Sequence, residues 1–349
     1  MTLRMCGLLV AATLAALGSS VPEAADAQSI RFRMQSGYSP TLSVIGQTAG
    51  HFANLVEKLS GGEMAVDYME PGALVPSPEI FDAVGAGRID MGYSWSGYQA
   101  GKIPAILVFI GVPFGPGHEI LSSWLTEGGG SRMMNELYAP FGVHSLPCGL
   151  TPAEPSGWFR EEISNPDRLK GMKIRYAGLA ADVMAKLGAS PTLIPGNETF
   201  AALERGVIDA AEFSLPSIDK DTGFYMVAKH YYFPGWHQTS STQELLINKD
   251  LWEGLTARQR AIFETACSDS MRYMVSIALP QQGAALRFYE QEGVTIHTWS
   301  DEMLAVFRRA AAEVMAERSA ADPDFARAWD SLKSYARDIS TWSDIAFLK

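Results

Sequence analysis

Arg175 is the residue whose surroundings in the sequence point most directly to chemistry. It lies in the run Met172 to Tyr176, whose alternating apolar residues predict a β-strand. A charge inside an apolar strand is costly unless a partner neutralises it. One interpretation is a guanidinium fork that holds a carboxylate through two parallel hydrogen bonds. The alternative is a structural salt bridge, and the sequence leaves both open.

A second charged residue, Glu212, comes near the end of the predicted strand Val207 to Phe213. In open α/β sheets, ligands bind beyond the carboxyl ends of the strands, so Arg175 and Glu212 are placed to meet one ligand. This carboxylate also has two interpretations, which are a salt bridge and an oxygen donor for a hard cation. Together the two residues predict a binding site at one edge of a sheet.

The elements that must position these residues form a regular series within residues 169–215. Short apolar runs predict strands, and the segments between them have apolar residues at helical spacing. Gly188 and Gly206 follow the predicted helices, as glycine often does just past a helix end. Asn197 is predicted to cap the second helix. The series strand, helix, strand, helix, strand predicts an α/β sheet.

This helix-into-strand unit occurs twice in the chain. Residues 200–214, FAALERGVIDAAEFS, resemble residues 81–95, FDAVGAGRIDMGYSW, with Phe, Ala, Gly, Ile and Asp in register. The repetition predicts two similar lobes, each presenting a strand end, and two lobes that face each other form a cleft. Four aromatic residues lie in or beside the segments predicted to face this cleft and are candidate ligand contacts: Trp95, Tyr98, Phe213 and Trp236.

The beginning of the chain predicts export. Arg4 precedes an apolar run from Leu8 to Leu17, and Ala-Asp-Ala at residues 25–27 fits the small-residue rule for cleavage. Residues 1–27 are therefore predicted to be a secretory signal peptide, since the apolar run is too short to span a membrane. The formal net charge of -11 argues against binding to nucleic acid or to anionic membranes.

Two cysteines, Cys148 and Cys267, remain after the predicted signal peptide. An oxidising compartment permits a bridge between them, but so few cysteines in a long chain are more typical of buried small hydrophobic side chains. Common enzyme motifs are missing: no GxGxxG follows a predicted strand, and no GxSxG occurs. The six histidines are scattered and are interpreted as ordinary core or surface residues.

Three segments together resemble the periplasmic substrate-binding subunits of TRAP transporters. They are NPDRLKGMKIR at residues 165–175, FAALERGVIDAAE at residues 200–212 and YYFPGWHQ at residues 231–238. Within that family the similarity is greatest to the branch that binds 2-oxo and 2-hydroxy monocarboxylates, and it extends over nearly the whole mature chain. The resemblance implies an α/β, two-lobed periplasmic binding protein fold, with a long helix spanning both lobes and a helical C-terminus.

The resemblance also implies how the chain is divided. Lobe I is expected to contain residues 28–150 and about 240–290, and lobe II residues 151–239. Residues 291–349 are expected to form C-terminal helices with a possible role in dimerisation. Members of the branch can form dimers with exchanged helices, and four apolar residues near the end of this chain are candidates for such a contact: Trp342, Ile345, Ala346 and Phe347.

The residues of the site follow from the same resemblance. Arg175 occupies the position of the strand arginine that pairs with the ligand carboxylate. In this branch a sodium or calcium ion joins the ligand, and its donors correspond here to Glu154, Glu212 with the carbonyl of Phe213, and Gln238. Compared with the branch, a glutamine and a glutamate are exchanged between positions 154 and 238, and Phe213 replaces the usual tryptophan.

We therefore expect a periplasmic solute-binding protein that captures a small 2-oxo or 2-hydroxy monocarboxylate with a cation and delivers it to a TRAP membrane permease. It is expected to catalyse no reaction and to need no organic cofactor. One alternative is an exported hydrolase that uses Glu154 and Glu212 as an acid–base pair, although the chain has no recognisable nucleophile motif. Another is a ligand sensor for a membrane receptor, which sequence alone does not distinguish from a transporter subunit.

Overall fold

The computed structural model describes residues 29–346, in which strands and helices alternate before a long helical C-terminal part. The strands are β1 Ile30–Ser36, β2 Met64–Met69, β3 Met91–Ser94, β4 Val143–Thr151, β5 Gly157–Phe159, β6 Lys173–Arg175, β7 Ser190–Thr192, β8 Ala210–Ala211, β9 His230–Phe233, β10 Ser241–Asn248 and β11 Thr295–Thr298. The helices are α1 Ile45–Ser60, α2 Ile80–Gly85, α3 His118–Thr126, α4 Gly130–Tyr138, α5 Gly178–Lys186, α6 Gly196–Glu204, α7 Pro216–Thr222, α8 Lys249–Gly254, α9 Ala257–Gln291, α10 Asp301–Ala321 and α11 Pro323–Ala346.

The first of two sheets has the strand order β2-β1-β3-β10-β4. β1 pairs in parallel with β2 and β3, whereas β10 is antiparallel to β3 and β4. Because parallel strands end at the same edge of a sheet, the segments that follow β1 and β3 lie side by side. These segments carry Tyr38 and Trp95.

The second sheet has the order β11-β9-β5-β8-β6-β7. β6 is parallel to β8, and Arg175 at the end of β6 lies opposite Ala211 at the end of β8. Glu212 directly follows β8, so the strand ends bring Arg175 and Glu212 together, as the sequence predicts. Apart from Thr151 at the end of β4, the strands of the first sheet lie within 28–150 and 240–290, and those of the second lie within 151–239 together with β11.

Helix α9 connects the two sheets. Its 35 residues correspond to a length of about 52 Å at 1.5 Å per residue. It packs against α1 and β4 on one side of the molecule and against α7 and β11 on the other. The predicted α/β fold with two lobes, a long helix across both and a helical C-terminus is confirmed.

Two local predictions differ from the structure. α6 begins at Gly196 with Pro195 in the capping position, so the predicted cap at Asn197 is wrong. Pro195 has the extended backbone that precedes a helix, and Asn197 falls inside the first turn, where its side chain does not cap. The predicted strand Val207 to Phe213 is also shorter, because its neighbours β5 and β6 pair only with Ala210 and Ala211.

Cys148 in β4 and Cys267 in α9 are joined by a disulfide bond, and both are buried. The two cysteines are therefore not separate small hydrophobic side chains, and that interpretation is wrong. Their predicted burial is confirmed. Their separation of 119 residues gives no sequence signal of contact. The bond ties the long helix to the first sheet.

The predicted signal peptide, residues 1–27, and Phe347 lie outside the described residues. Between residues 29 and 346, no helix combines the length and the apolar character that a membrane span requires.

Candidate ligand-binding site

A small cavity lies between the two sheets, at the edge where the strands of each sheet end. Its volume is about 30 Å³. Both lobes contribute to its wall, which is lined by Tyr38, Ile45, Trp95, Tyr98, Glu154, Arg175, Ala177, Glu212, Phe213, Ser214, Gln238, Ser241 and Gln243. This wall contains seven of the eight residues that the sequence singles out for the site, and Trp236 is the exception.

Arg175 is only 4% exposed and is held by two partners from its own lobe. Its Nη1 donates to Glu212 Oε1 at 2.6 Å and also to the Glu212 carbonyl oxygen, and its Nε donates to the Ile194 carbonyl oxygen at 3.2 Å. The ring of Phe213 lies 5.6 Å from the guanidinium carbon. The salt bridge that the sequence left open is thus present. Within residues 29–346 these hydrogen bonds engage Nε and Nη1, which leaves Nη2 for another partner.

Glu212 is buried and remains ionised because of its neighbours. Its Oε1 accepts hydrogen bonds from Arg175 and from the Ala177 backbone amide, the latter at 3.1 Å. Its Oε2 lies 3.7 Å from Nε2 of His237. Burial alone raises the pKa of Glu212, but Arg175, His237 and the Ala177 amide together hold that pKa below its usual value.

Glu154 has the opposite electrostatic character. It is 4% exposed, and its Oε1 accepts hydrogen bonds from the hydroxyls of Thr151 at 3.0 Å and Ser214 at 3.5 Å. Burial, and then the nearby charge of Glu212, raise the pKa of Glu154 well above its usual value. Both effects favour the neutral form of Glu154, whereas a cation between the two carboxyl groups would favour its ionised form.

The donor set of the site suits a hard cation. Carboxylate oxygens come from Glu154 and Glu212, and one ligand atom from each of these residues and from His237 lies within 4.8 Å of the others. The side-chain nitrogen of Gln238 donates to the Ile110 carbonyl oxygen at 3.1 Å and to a serine hydroxyl, which leaves its oxygen for the cavity. Oxygen donors of this kind are the ligands that sodium and calcium prefer.

His237 is one of the residues near this site to which the sequence interpretation gave no role. It is 1% exposed, and within residues 29–346 neither ring nitrogen has a hydrogen-bond partner. The sequence contained one signal, since His237 directly follows Trp236 in the densest aromatic segment of the chain. The prediction treated the histidines as scattered because only the fold brings this one to Glu212.

The aromatic candidates divide into two groups. Trp95 and Tyr98 line the cavity and pack edge to face, with ring centroids 5.5 Å apart, and Phe213 lines it from the other lobe. Trp236 does not line the cavity, because it is buried in the core, where its ring stacks on Phe307 with centroids 4.4 Å apart. Trp236 therefore supports the segment that carries His237 and Gln238.

The loop after β1 supplies a further wall residue that the sequence did not indicate. The Tyr38 hydroxyl donates to Gln243 Oε1 at 2.7 Å, and both side chains line the cavity. Tyr38 occurs in a polar, glycine-containing stretch, and no helical or strand periodicity marks it as a site residue.

Comparisons with known proteins show which family this chain resembles. Residues 35–322 match the family model described as bacterial extracellular solute-binding protein, family 7. A monocarboxylate 2-oxoacid-binding periplasmic protein of Nostoc sp. is 32% identical over 317 residues, which cover 90% of this chain and 86% of that protein.

Two solved structures are similar over almost their whole length. A TRAP transporter solute-binding protein from Bordetella bronchiseptica, a mixed-occupancy dimer with calcium and picolinate at one active site, has a TM-score of 0.88 and 30% identity, covering 91% of this chain and 95% of that one. A TRAP periplasmic solute-binding protein from Pseudoalteromonas atlantica, with bound sodium and pyruvate, has a TM-score of 0.87 and 33% identity, covering 91% and 97%. The chain therefore belongs to the family 7 bacterial extracellular solute-binding proteins, the substrate-binding proteins of TRAP transporters.

Proposed function

We propose that this protein captures a small organic monocarboxylate, a 2-oxo or 2-hydroxy acid, in the periplasm and delivers it to a TRAP membrane permease. The observation that carries the proposal is the pairing of a buried arginine, with Nη2 left over, and two buried carboxyl groups in one small cavity. The Nostoc relative is named for binding of monocarboxylate 2-oxoacids, and the Pseudoalteromonas structure contains pyruvate, which is itself a 2-oxo monocarboxylate.

In this proposal Arg175 binds the ligand carboxylate, and a sodium or calcium ion lies beside it. The ion takes oxygen atoms from Glu154, Glu212, the Phe213 carbonyl and Gln238. A cation is needed because two carboxyl groups that face an anionic ligand repel it once both are ionised, and a bound ion reverses the sign of that interaction. The Bordetella structure contains calcium with picolinate, and the Pseudoalteromonas structure contains sodium with pyruvate.

Binding would be coupled to closure of the lobes. Residues 28–150 and about 240–290 form lobe I in this proposal, and residues 151–239 form lobe II. The cavity wall takes Trp95 and Tyr98 from the first and Arg175 from the second, so a ligand stabilises the state in which both lobes contact it. Solution scattering should show a smaller radius of gyration when a saturating ligand is added.

The protein catalyses no reaction in this proposal. Glu212 is ion-paired with Arg175, and neither the site nor the comparisons support an exported hydrolase or a sensor.

We also propose a homodimer formed through residues 339–349, because Trp342 and Ile345 are large apolar residues that are 61% and 84% exposed at the end of α11. The Bordetella relative was crystallised as a dimer.

The test is a thermal-shift screen of small carboxylic acids, with and without calcium and sodium, followed by mass spectrometry of the co-purified ligand. Pyruvate or lactate should raise the melting temperature, and succinate should raise it less. Stabilisation by sugars or amines, but by none of the carboxylic acids, would overturn the proposal.

A further inference from the structure

A second cavity adjoins the ligand cavity and is several times larger, at about 140 Å³. The two cavities share three aromatic residues, Tyr38, Tyr98 and Phe213, which line both. The rest of the second wall comes from Gly37, Ser39, Leu42, Pro71, Ser77, Gly196, Asn197 and Thr222. Both lobes therefore contribute to this chamber as well, and three aromatic residues form a boundary that it shares with the cavity of Arg175.

The chemistry of this chamber is apolar and uncharged. None of its lining residues carries a charge, and its polar atoms come from small side chains such as Ser77 and Thr222. A second carboxylate or an ammonium group placed here would lose its hydration without gaining a partner of opposite charge, which is strongly unfavourable. An alkyl or aromatic group has no such cost and gains free energy from the apolar surface that it buries.

The size of the chamber sets the size of the group. An apolar cavity of about 150 Å³ admits benzene, so 140 Å³ holds a ring or a branched alkyl group of roughly four to six carbons. The 30 Å³ cavity beside Arg175 has no room for such a group in addition to a carboxylate and an ion.

We propose that the second chamber is a side-chain subsite, so that this protein selects 2-oxo acids with an apolar side chain of about four to six carbons over both pyruvate and dicarboxylates. The inference rests on the proposed function, because it places the carboxylate at Arg175. The side chain leaves the first cavity past Tyr98 and Phe213, which belong to opposite lobes. A longer apolar side chain therefore adds contacts that exist only when the lobes are closed.

The experiment is titration calorimetry of the full-length mature protein with pyruvate, 2-oxopentanoate, 4-methyl-2-oxopentanoate, phenylpyruvate and 2-oxoglutarate, in buffer containing calcium and sodium. Each carbon added to the apolar series should tighten binding about fourfold, which corresponds to roughly 0.8 kcal/mol per buried methylene. 2-Oxoglutarate should bind more weakly than 2-oxopentanoate, because its second carboxylate enters an uncharged chamber.

A variant that fills the chamber tests the location of the subsite. Leu42→Trp replaces an isobutyl side chain with a larger indole ring in the second cavity. Leu42 does not line the first cavity. Pyruvate affinity should stay within about twofold of wild type, while the gain for 4-methyl-2-oxopentanoate should be lost, since the 0.8 kcal/mol per methylene is no longer available. Leu59→Trp is the matched control, because Leu59 is 41% exposed in the last turn of α1 and lines neither cavity.

Three results would overturn the subsite. They are pyruvate that binds as tightly as the longer apolar acids, a Leu42→Trp variant that weakens pyruvate and 4-methyl-2-oxopentanoate equally, and 2-oxoglutarate that binds as tightly as 2-oxopentanoate. If none of the 2-oxo acids binds, pyruvate included, the proposed function itself is wrong. If all of them bind with equal affinity, the proposed function stands and only the subsite is wrong.

Discussion

Replacement of Arg175 separates its role in binding from its role in stability. Arg175→Lys keeps the positive charge but loses the hydrogen bond to the Ile194 carbonyl oxygen, one of the two bonds to Glu212, and the guanidinium nitrogen Nη2. Loss of one partner of a buried charged pair costs about 2–5 kcal/mol of binding free energy, so affinity for pyruvate should fall roughly 30-fold or more. Calorimetry with the folded variant measures this loss.

The same residue also affects the folded protein without ligand. Arg175→Met leaves Glu212 ionised and buried without its partner, which should lower the free energy of unfolding by about 3–5 kcal/mol. Adding Glu212→Gln removes the orphaned charge and should restore most of that loss, although the double variant should not recover binding. Urea denaturation of the variants without ligand provides the measurement.

The control for these variants is an ion pair of the same type on the surface. Arg168 pairs with Glu161, and the two side chains are 48% and 72% exposed, so Arg168→Met should cost no more than about 1 kcal/mol and leave binding unchanged. Near-native affinity in a folded Arg175→Met protein would refute the carboxylate-binding role. If the double variant were as unstable as Arg175→Met alone, the ion-pair reasoning would be wrong instead.

Four further predictions address the cation, pH, the disulfide and the C-terminus. Withholding both sodium and calcium should weaken pyruvate binding in calorimetry, and undiminished affinity would remove the ion from the site. Burial raises the pKa of Glu244 to about 7, above its value in the unfolded chain, so its protonated form stabilises the fold at low pH and that contribution is lost as the pH rises through 7. As the pH rises from 5 to 8, the unfolding free energy of the wild type, measured by urea titration, should therefore fall by up to about 3 kcal/mol more than that of Glu244→Gln. An equal fall in both proteins would contradict the role of Glu244. Replacing Cys148 and Cys267 with alanine should lower the unfolding free energy by about 2–5 kcal/mol, because their bond closes a long loop, and an unchanged urea midpoint would count against it. Truncation after Asp338 should give a monomer by light scattering, whereas a full-length protein that is already monomeric at micromolar concentration would disprove the dimer.

Local patterns in the sequence predicted the repeated lobes and two charged residues of the candidate site, Arg175 and Glu212. Helical spacing and glycines past the helix ends were sufficient for the series of elements between residues 169 and 215, because these signals depend on neighbours within one or two turns. Two parallel strands that end at one edge then placed Arg175 beside Glu212. Such an argument needs only the order of strands and helices, which the sequence contains.

Tertiary structure alone decided which neighbours point into the cavity. Trp236 and His237 are adjacent in the chain, yet Trp236 stacks on Phe307 in the core while His237 lies near Glu212. Composition does not separate these two orientations, because both residues are aromatic and both are buried. The direction of each side chain depends on the packing of α10 against this segment, and α10 is more than sixty residues further along the chain.

The same reason accounts for the disulfide, the wall residue Tyr38 and the second cavity. Each depends on contacts between segments that are far apart in sequence, and periodicity carries no information about such contacts. Cys148 and Cys267 are 119 residues apart, and Tyr38 meets Gln243 across 205 residues. By itself the sequence indicated the lobes and the charged centre of the site, whereas the packing of one lobe against the other decided the shape of the cavity and the space beside it.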